Sequence, residues 1–351
     1  MPAPGNLRAR PNHLHLSITL QYTTSAMDST IESFSTGPPI YRPPKGRMVL
    51  GEGPIYRASD STLHWFDCLS SPCELYILPT DPETGSPTGE DARILPLSDS
   101  VSVAAFRQNK PGSYIAAYYQ GVCFLDEASG TFEIVREIIP TAERDQRRFN
   151  DGGVDAAGRF WLAEIDVRAT AFDIDHWPES YGEPKGRLWR YDPDGSLHLM
   201  IPGGILCGNG VKWSPDNKTM YLNDSMGMKI TALDFDLGTG NISNQRTLVD
   251  FRATKAEPDG LVTDNDGNLW VAVYSTGKVM VFNPEGEKLN EIELPAKYPT
   301  CPTWGGKNHD VLYLSTARDR TDNPDPNDDG GHMYMFKPSQ AQGQAKYEFA
   351  G

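Results

Sequence analysis

Apolar and polar positions along this chain alternate in short runs rather than recurring every three to four residues. One phrase returns six times: a turn rich in Asp, Asn or Gly, then a brief apolar and aromatic stretch. Its copies occupy 59–66, 109–116, 157–162, 216–222, 266–271 and 308–314, spaced 43 to 60 residues apart. A second phrase follows each copy, an alternating run closed by a polar turn, at 74–78, 121–125, 186–191, 229–235, 277–282 and 332–336. Period-two alternation between Asp-Pro or Gly turns is the pattern of antiparallel strands. Six such repeats of about 50 residues predict an all-β fold, a six-bladed β-propeller. A TIM barrel needs eight helical segments at period 3.6, and few candidates occur. Two stacked sandwiches would not explain six matched copies.

A further short strand precedes each copy, and four of these carry an oxygen-bearing side chain at a near-constant offset. Glu52 lies 13 residues before Trp65, Asn150 lies 11 before Trp161, Asn209 lies 12 before Tyr221 and Asp259 lies 11 before Trp270. The innermost strand of each propeller blade lines the central channel, so these four are predicted to converge there. Any one Asn-Gly or Asp-Gly is an ordinary turn signal; four in register across a repeat are not. Glu, Asn and Asp without His or Cys make a hard-oxygen set suited to one divalent ion, Ca²⁺, Mg²⁺ or Mn²⁺, with Zn²⁺ also accommodated. Two carboxylates brought this close repel unless a cation lies between them.

Composition narrows the picture. The 351 residues include 32 Lys and Arg against 47 Asp and Glu, a net charge of −15. No basic stripe offsets that repulsion, which argues against a nucleic-acid partner. No apolar run approaches the ~20 residues of a membrane-spanning helix, so no membrane partner is expected. The five cysteines lack any CxxC pair, so buried free thiols are expected rather than disulfides or a thiolate metal site. Residues 1–26 contain no Asp or Glu but include Arg8, Arg10, His13 and His15. We therefore divide the chain into a disordered or targeting-like tail, 1–30, and a propeller, 31–351. Met27 is an alternative effective start. A cytoplasmic location is expected, with mitochondrial import through the tail as the alternative.

Specific motifs sharpen this. Leu50-Gly51-Glu52-Gly53-Pro54, Arg148-Phe149-Asn150-Asp151-Gly152, Asn209-Gly210-Val211-Lys212-Trp213-Ser214 and Pro258-Asp259-Gly260 fall in order. With residues 239–244 and 317–319, they make the chain resemble the SMP-30/gluconolactonase/luciferin-regenerating enzyme family from about residue 48 onward. The resemblance implies a propeller with one divalent metal ion in its channel, held by Glu52, Asn209 and Asp259. It also implies that Arg148 and Asn150 contact a sugar lactone. One departure stands out: a substrate-binding Glu of the family aligns, without gaps, with Arg168. The stretch 166–185, with His176, Trp177 and Tyr181, is distinctive, either a lid whose aromatic rings stack on substrate or an exposed loop between blades.

The expected activity is metal-dependent hydrolysis of a sugar-type lactone, a small-molecule substrate, with Asp259 as the catalytic base near the attacking water. The alternatives are an aryl-ester or organophosphate esterase on the same site, and a non-catalytic Ca²⁺-binding or protein-binding propeller. No Gly-x-Ser-x-Gly, HExxH, P-loop or GxGxxG motif competes. The acidic run 322–330 holds two prolines and has Met333 where a Ca²⁺ loop needs Glu, and is expected to be a solvated loop. His64, His309 and His332 lie in or beside strand phrases and are expected to be structural.

Overall fold

In the computed structural model, which describes residues 31–172 and 181–351, the two recurring phrases are the second and third strands of six sheets, antiparallel neighbours in each. Second strands run Thr62–Asp67, Ser113–Tyr118, Phe160–Asp166, Thr219–Asp224, Leu269–Tyr274 and Val311–Ala317. The inner strands are Gly51–Arg57, Val101–Phe106, Arg147–Val154, Gly208–Trp213, Glu257–Thr263 and Tyr298–Gly305. Each inner strand touches the inner strand of the next blade, and the last touches the first. That ring closes a six-bladed propeller around one channel. Thr300 Oγ1 of blade 6 donates to the Gly51 carbonyl of blade 1 at 2.6 Å across the seam.

Burial follows the repeat, with the second strands buried nearly throughout. Six hydrophobic clusters form, one between each adjacent pair of blades. Aromatic side chains dominate several of them: Trp161 packs edge-on to Trp213 between blades 3 and 4, with ring centres 5.9 Å apart, and Trp270 meets Trp304 at 5.2 Å between blades 5 and 6. The Asp-Gly turns also have a defined task. Asp155 and Asp264 each accept a backbone N–H of their own turn and, at 2.9 Å, the indole N–H of the Trp six residues on. A buried indole donor would otherwise lack a partner.

Outer strands were not predicted. Among the described residues, five blades have a fourth strand, such as Asn241–Asp250 of blade 4, whereas blade 6 has three. At the outer edge of blade 6, Tyr41 makes an antiparallel bridge to Met333. Glu32–Ser35 adds a parallel fifth strand to blade 5, against Lys288–Glu293. The C-terminal stretch runs across the channel end toward which the inner strands point. It bridges Asp264 at Gly343 and Arg107 at Phe349, and Lys346 Nζ donates to the Pro54 carbonyl at 2.9 Å.

The five cysteines are free and buried, as expected. His64 is structural: its ring bonds Thr62 and Tyr114 inside the blade 1–2 seam. The acidic run needs a correction. Asp322–Asn327 is exposed, but Asp328 is buried and accepts the Lys297 and Gly330 backbone N–H groups, tying the loop to the body. Among the described residues, no helix is long and apolar enough to cross a membrane. The tail 1–30 and the residues His176 and Trp177 lie outside the described residues.

Candidate functional site

Every inner strand breaks register near its start. The irregularities fall between Glu52 and Ile55, Val101 and Val103, Phe149 and Asp151, Gly208 and Val211, Pro258 and Leu261, and Pro299 and Pro302. A bulge bends its strand and re-aims a side chain. Repeated six times, it turns Glu52, Asn150, Asn209 and Asp259 toward one place. Gly53 and Gly260 make the crowding tolerable. A Cβ at Gly53, where φ is +55°, would lie 2.6 Å from the Ser102 carbonyl, and one at Gly260 would lie 2.7 Å from Cys301 Cα.

The result is one cavity of about 650 Å³, within the usual range for small-molecule sites. All five residues predicted for the site line it: Glu52, Arg148, Asn150, Asn209 and Asp259. Its floor is held by groups the sequence reading missed. Asn209 Nδ2 donates to Ser225 Oγ at 2.9 Å, and Ser225 donates to the Pro258 carbonyl at 2.8 Å. Asn223 Nδ2 donates to the Asp259 carbonyl at 2.5 Å. Asn150 Nδ2 donates to the Gly208 carbonyl at 3.0 Å, joining blades 3 and 4. The only trace of Asn223 and Ser225 in the sequence is the polar ending of an otherwise apolar second strand.

The residue at the departure is located, and one predicted placement is corrected. Arg168 does not line the cavity; its guanidinium pairs with Asp166, at 2.9 and 2.6 Å, and donates to the Tyr181 and Glu183 carbonyls. Tyr181 is not a stacking platform, because it is buried with its hydroxyl on Asp166 at 2.9 Å. Buried Asp166 thus gathers the two ends of the 166–185 stretch, and among the described residues those it presents to the cavity are Val167, Thr170 and Phe172.

Electrostatically the floor is frustrated. Burial, reinforced by the Asp151 charge, pushes Glu52 up to about 8, partly offset by the Gly53 N–H and by Arg148. Burial, with Glu52 and then Asp151 adding to it, holds Asp259 well above the ordinary carboxylate range, although a hydrogen bond from Asn209 opposes this. Asp259 Oδ1 is buried and has no hydrogen-bond partner. Such an orphaned oxygen beside a second carboxylate and an amide fits a hard divalent cation. Among the described residues, no cluster of three or more His, Cys, Asp or Glu side chains that could hold a metal ion occurs, and the candidate set counts two carboxylates and an amide.

The fold and cavity together define a six-bladed propeller with a polar binding site at one end of its channel. The chain belongs to the SMP-30/gluconolactonase/LRE-like family, whose model matches residues 50–318. It is similar to regucalcin of Homo sapiens, 32% identical over 72% of this chain and 81% of that protein. Among solved structures, a luciferin-regenerating enzyme superposes with a TM-score of 0.75 at 25% identity, covering 87% of this chain and 96% of that one. A calcium-binding regucalcin from Agrobacterium tumefaciens also scores 0.75, at 22% identity over 90% and 98% of the two chains, and supports the fold.

Proposed function

We propose that this protein is a divalent-cation-dependent lactone hydrolase. The observation that carries the reading is the buried Asp259 Oδ1, unpaired and facing the same cavity as Glu52 and Asn209. The family to which the chain belongs, which includes gluconolactonases by name, supports the same chemistry. Glu52, Asn209 and Asp259 would hold the ion. When bound, a divalent cation supplies Lewis-acid polarisation of the ester carbonyl and acidifies water at neutral pH.

The chain's own groups do the rest. Asp259 accepts the proton of the water that attacks the lactone carbonyl and returns it to the departing ring oxygen, so the ring opens to a hydroxy acid. The Arg148 guanidinium and the Asn150 amide orient the substrate and stabilise the oxyanion that develops on the carbonyl oxygen. Ser225 and Asn223 fix the Asn209 side chain and the Asp259 backbone, so the set is organised before substrate arrives.

The test is turnover of a lactone panel by chelator-treated protein, with divalent ions added back singly. Activity lost in EDTA, restored by at least one ion and absent in Asp259→Ala of unchanged circular dichroism supports the reading. Full activity in EDTA, or near-normal turnover by Asp259→Ala, refutes it. Cation binding with no turnover on any lactone assigns the site instead to a non-catalytic cation-binding propeller.

A further inference from the structure

The cavity above Glu52 and Asp259 has apolar walls. Leu50, Leu69, Ile165, Val167, Phe172 and Met226 line it. Only seven large hydrophobic side chains are exposed among the described residues, and two of them, Leu69 at 38% and Phe172 at 39%, stand at this one cavity. Exposed apolar groups gathered at a cleft, rather than scattered, mark a binding surface.

Among the described residues, part of the polar complement of the same walls is bonded within the protein. Thr170 Oγ1 donates to the Val167 carbonyl at 2.7 Å. Arg320 Nη2 donates to the Tyr274 hydroxyl at 3.3 Å. Ser225 serves Asn209 and Pro258. Glu257 lies two residues before Asp259 and belongs to the floor, where its charge acts on Asp259. A sugar lactone carries a hydroxyl on nearly every ring carbon, and each needs a partner once it leaves water. Among the described residues the floor offers the remaining hydrogen-bonding capacity of Arg148, Asn150 and Glu257 and the rim that of Arg320; the rest of the walls is hydrocarbon.

We propose that the preferred substrate is a lactone bearing an apolar alkyl or aryl substituent, its ring on the polar floor and its substituent along the Leu69–Val167–Met226 wall. This rests on the hydrolase reading but adds the substrate class. Leu69 and Val167 are then specificity-determining residues that take no part in the chemistry. Each methylene of substituent buried against that wall contributes about 0.8 kcal/mol, or about threefold to fourfold in kcat/KM.

Two measurements on the full chain test it. The first compares kcat/KM, with the best divalent ion present, for γ-lactones with no side chain and with two-, four- and six-carbon side chains, and for D-glucono-1,5-lactone. The second measures calorimetric binding of the matching γ-lactams, which resist hydrolysis. The inference expects both quantities to rise about threefold per methylene over the first few carbons, with gluconolactone below the four-carbon lactone. In Leu69→Asn/Val167→Thr, the slope against substituent length should fall by at least half in both assays.

Flat or falling series in both assays, or gluconolactone preferred over every alkyl lactone, overturns the inference; turnover of gluconolactone would still uphold the hydrolase. Lactam affinity that climbs with chain length while no lactone is opened upholds the apolar site and removes the hydrolase. An undiminished slope in the double variant would also overturn the inference, because the wall would then play no part.

Discussion

Replacing Glu52 by Gln removes one of the two buried carboxylates while keeping its shape and its capacity to accept the Gly53 N–H. In the absence of a divalent ion, Glu52 titrates near its ordinary 4.5 in the unfolded chain and at about 8 when folded. The folded state therefore holds the proton longer, and stability is lost as pH rises from the unfolded value through the folded one. A gap of about 3.5 corresponds to a loss on the order of 5 kcal/mol when complete, of which about 3 kcal/mol is incurred by pH 7. Gln carries no such liability. In EDTA, urea unfolding followed by tryptophan fluorescence should show wild type and E52Q within about 1 kcal/mol at pH 5. At pH 9, E52Q should be more stable by several kcal/mol. A divalent ion at a hundredfold excess over its Kd should then stabilise wild type by about 2.7 kcal/mol and leave E52Q unmoved. If E52Q is the less stable protein at pH 9 in EDTA, or if the difference does not change with pH, the electrostatic account of the floor is wrong.

Other substitutions probe the scaffold. Gly53→Ala forces a Cβ to 2.6 Å from the Ser102 carbonyl at a positive φ and should cost about 1–3 kcal/mol in urea denaturation; a neutral result would mean the inner strands are not crowded there. Arg168→Ala removes the ion pair to buried Asp166 and the ties to Tyr181 and Glu183. It should lower stability by about 1–3 kcal/mol, with KM nearly unchanged; a raised KM at full stability would make Arg168 a substrate contact after all. Asp264→Ala strands the Trp270 indole N–H in the blade 5–6 seam and should destabilise by about 2–3 kcal/mol, as measured by the shift in the unfolding midpoint.

The legible part of this fold was the part under two constraints at once. Second and third strands such as Phe160–Asp166 and Gly186–Tyr191 are packed between neighbouring blades, so burial imprints a continuous apolar run on the first and alternation on the second. Outer strands such as Asn241–Asp250 are largely exposed, and nothing forces a period onto their sequence. Glu32–Ser35 is exposed throughout and is held by backbone pairing to a strand more than 250 positions away, which leaves no local signal. The same distinction holds in the cavity. Glu52, Asn150, Asn209 and Asp259 were found because each sits at an equivalent position in its repeat. Ser225 and Asn223 are support contacts behind the cavity wall, and a lone polar residue at the end of an apolar strand does not announce which carbonyl it will bond. The surroundings of Arg168 were illegible for a related reason: a gapless comparison cannot sense that Asp166 draws its guanidinium aside.

Anomalous diffraction from crystals grown with Mn²⁺ would test the central claim most directly, since it locates the ion independently of turnover. The account predicts a single strong peak in the channel, within coordinating reach of Glu52, Asn209 and Asp259 and touching the Asp259 oxygen that now lacks a partner. A peak elsewhere on the propeller, with those three side chains unliganded at saturating Mn²⁺, would contradict it.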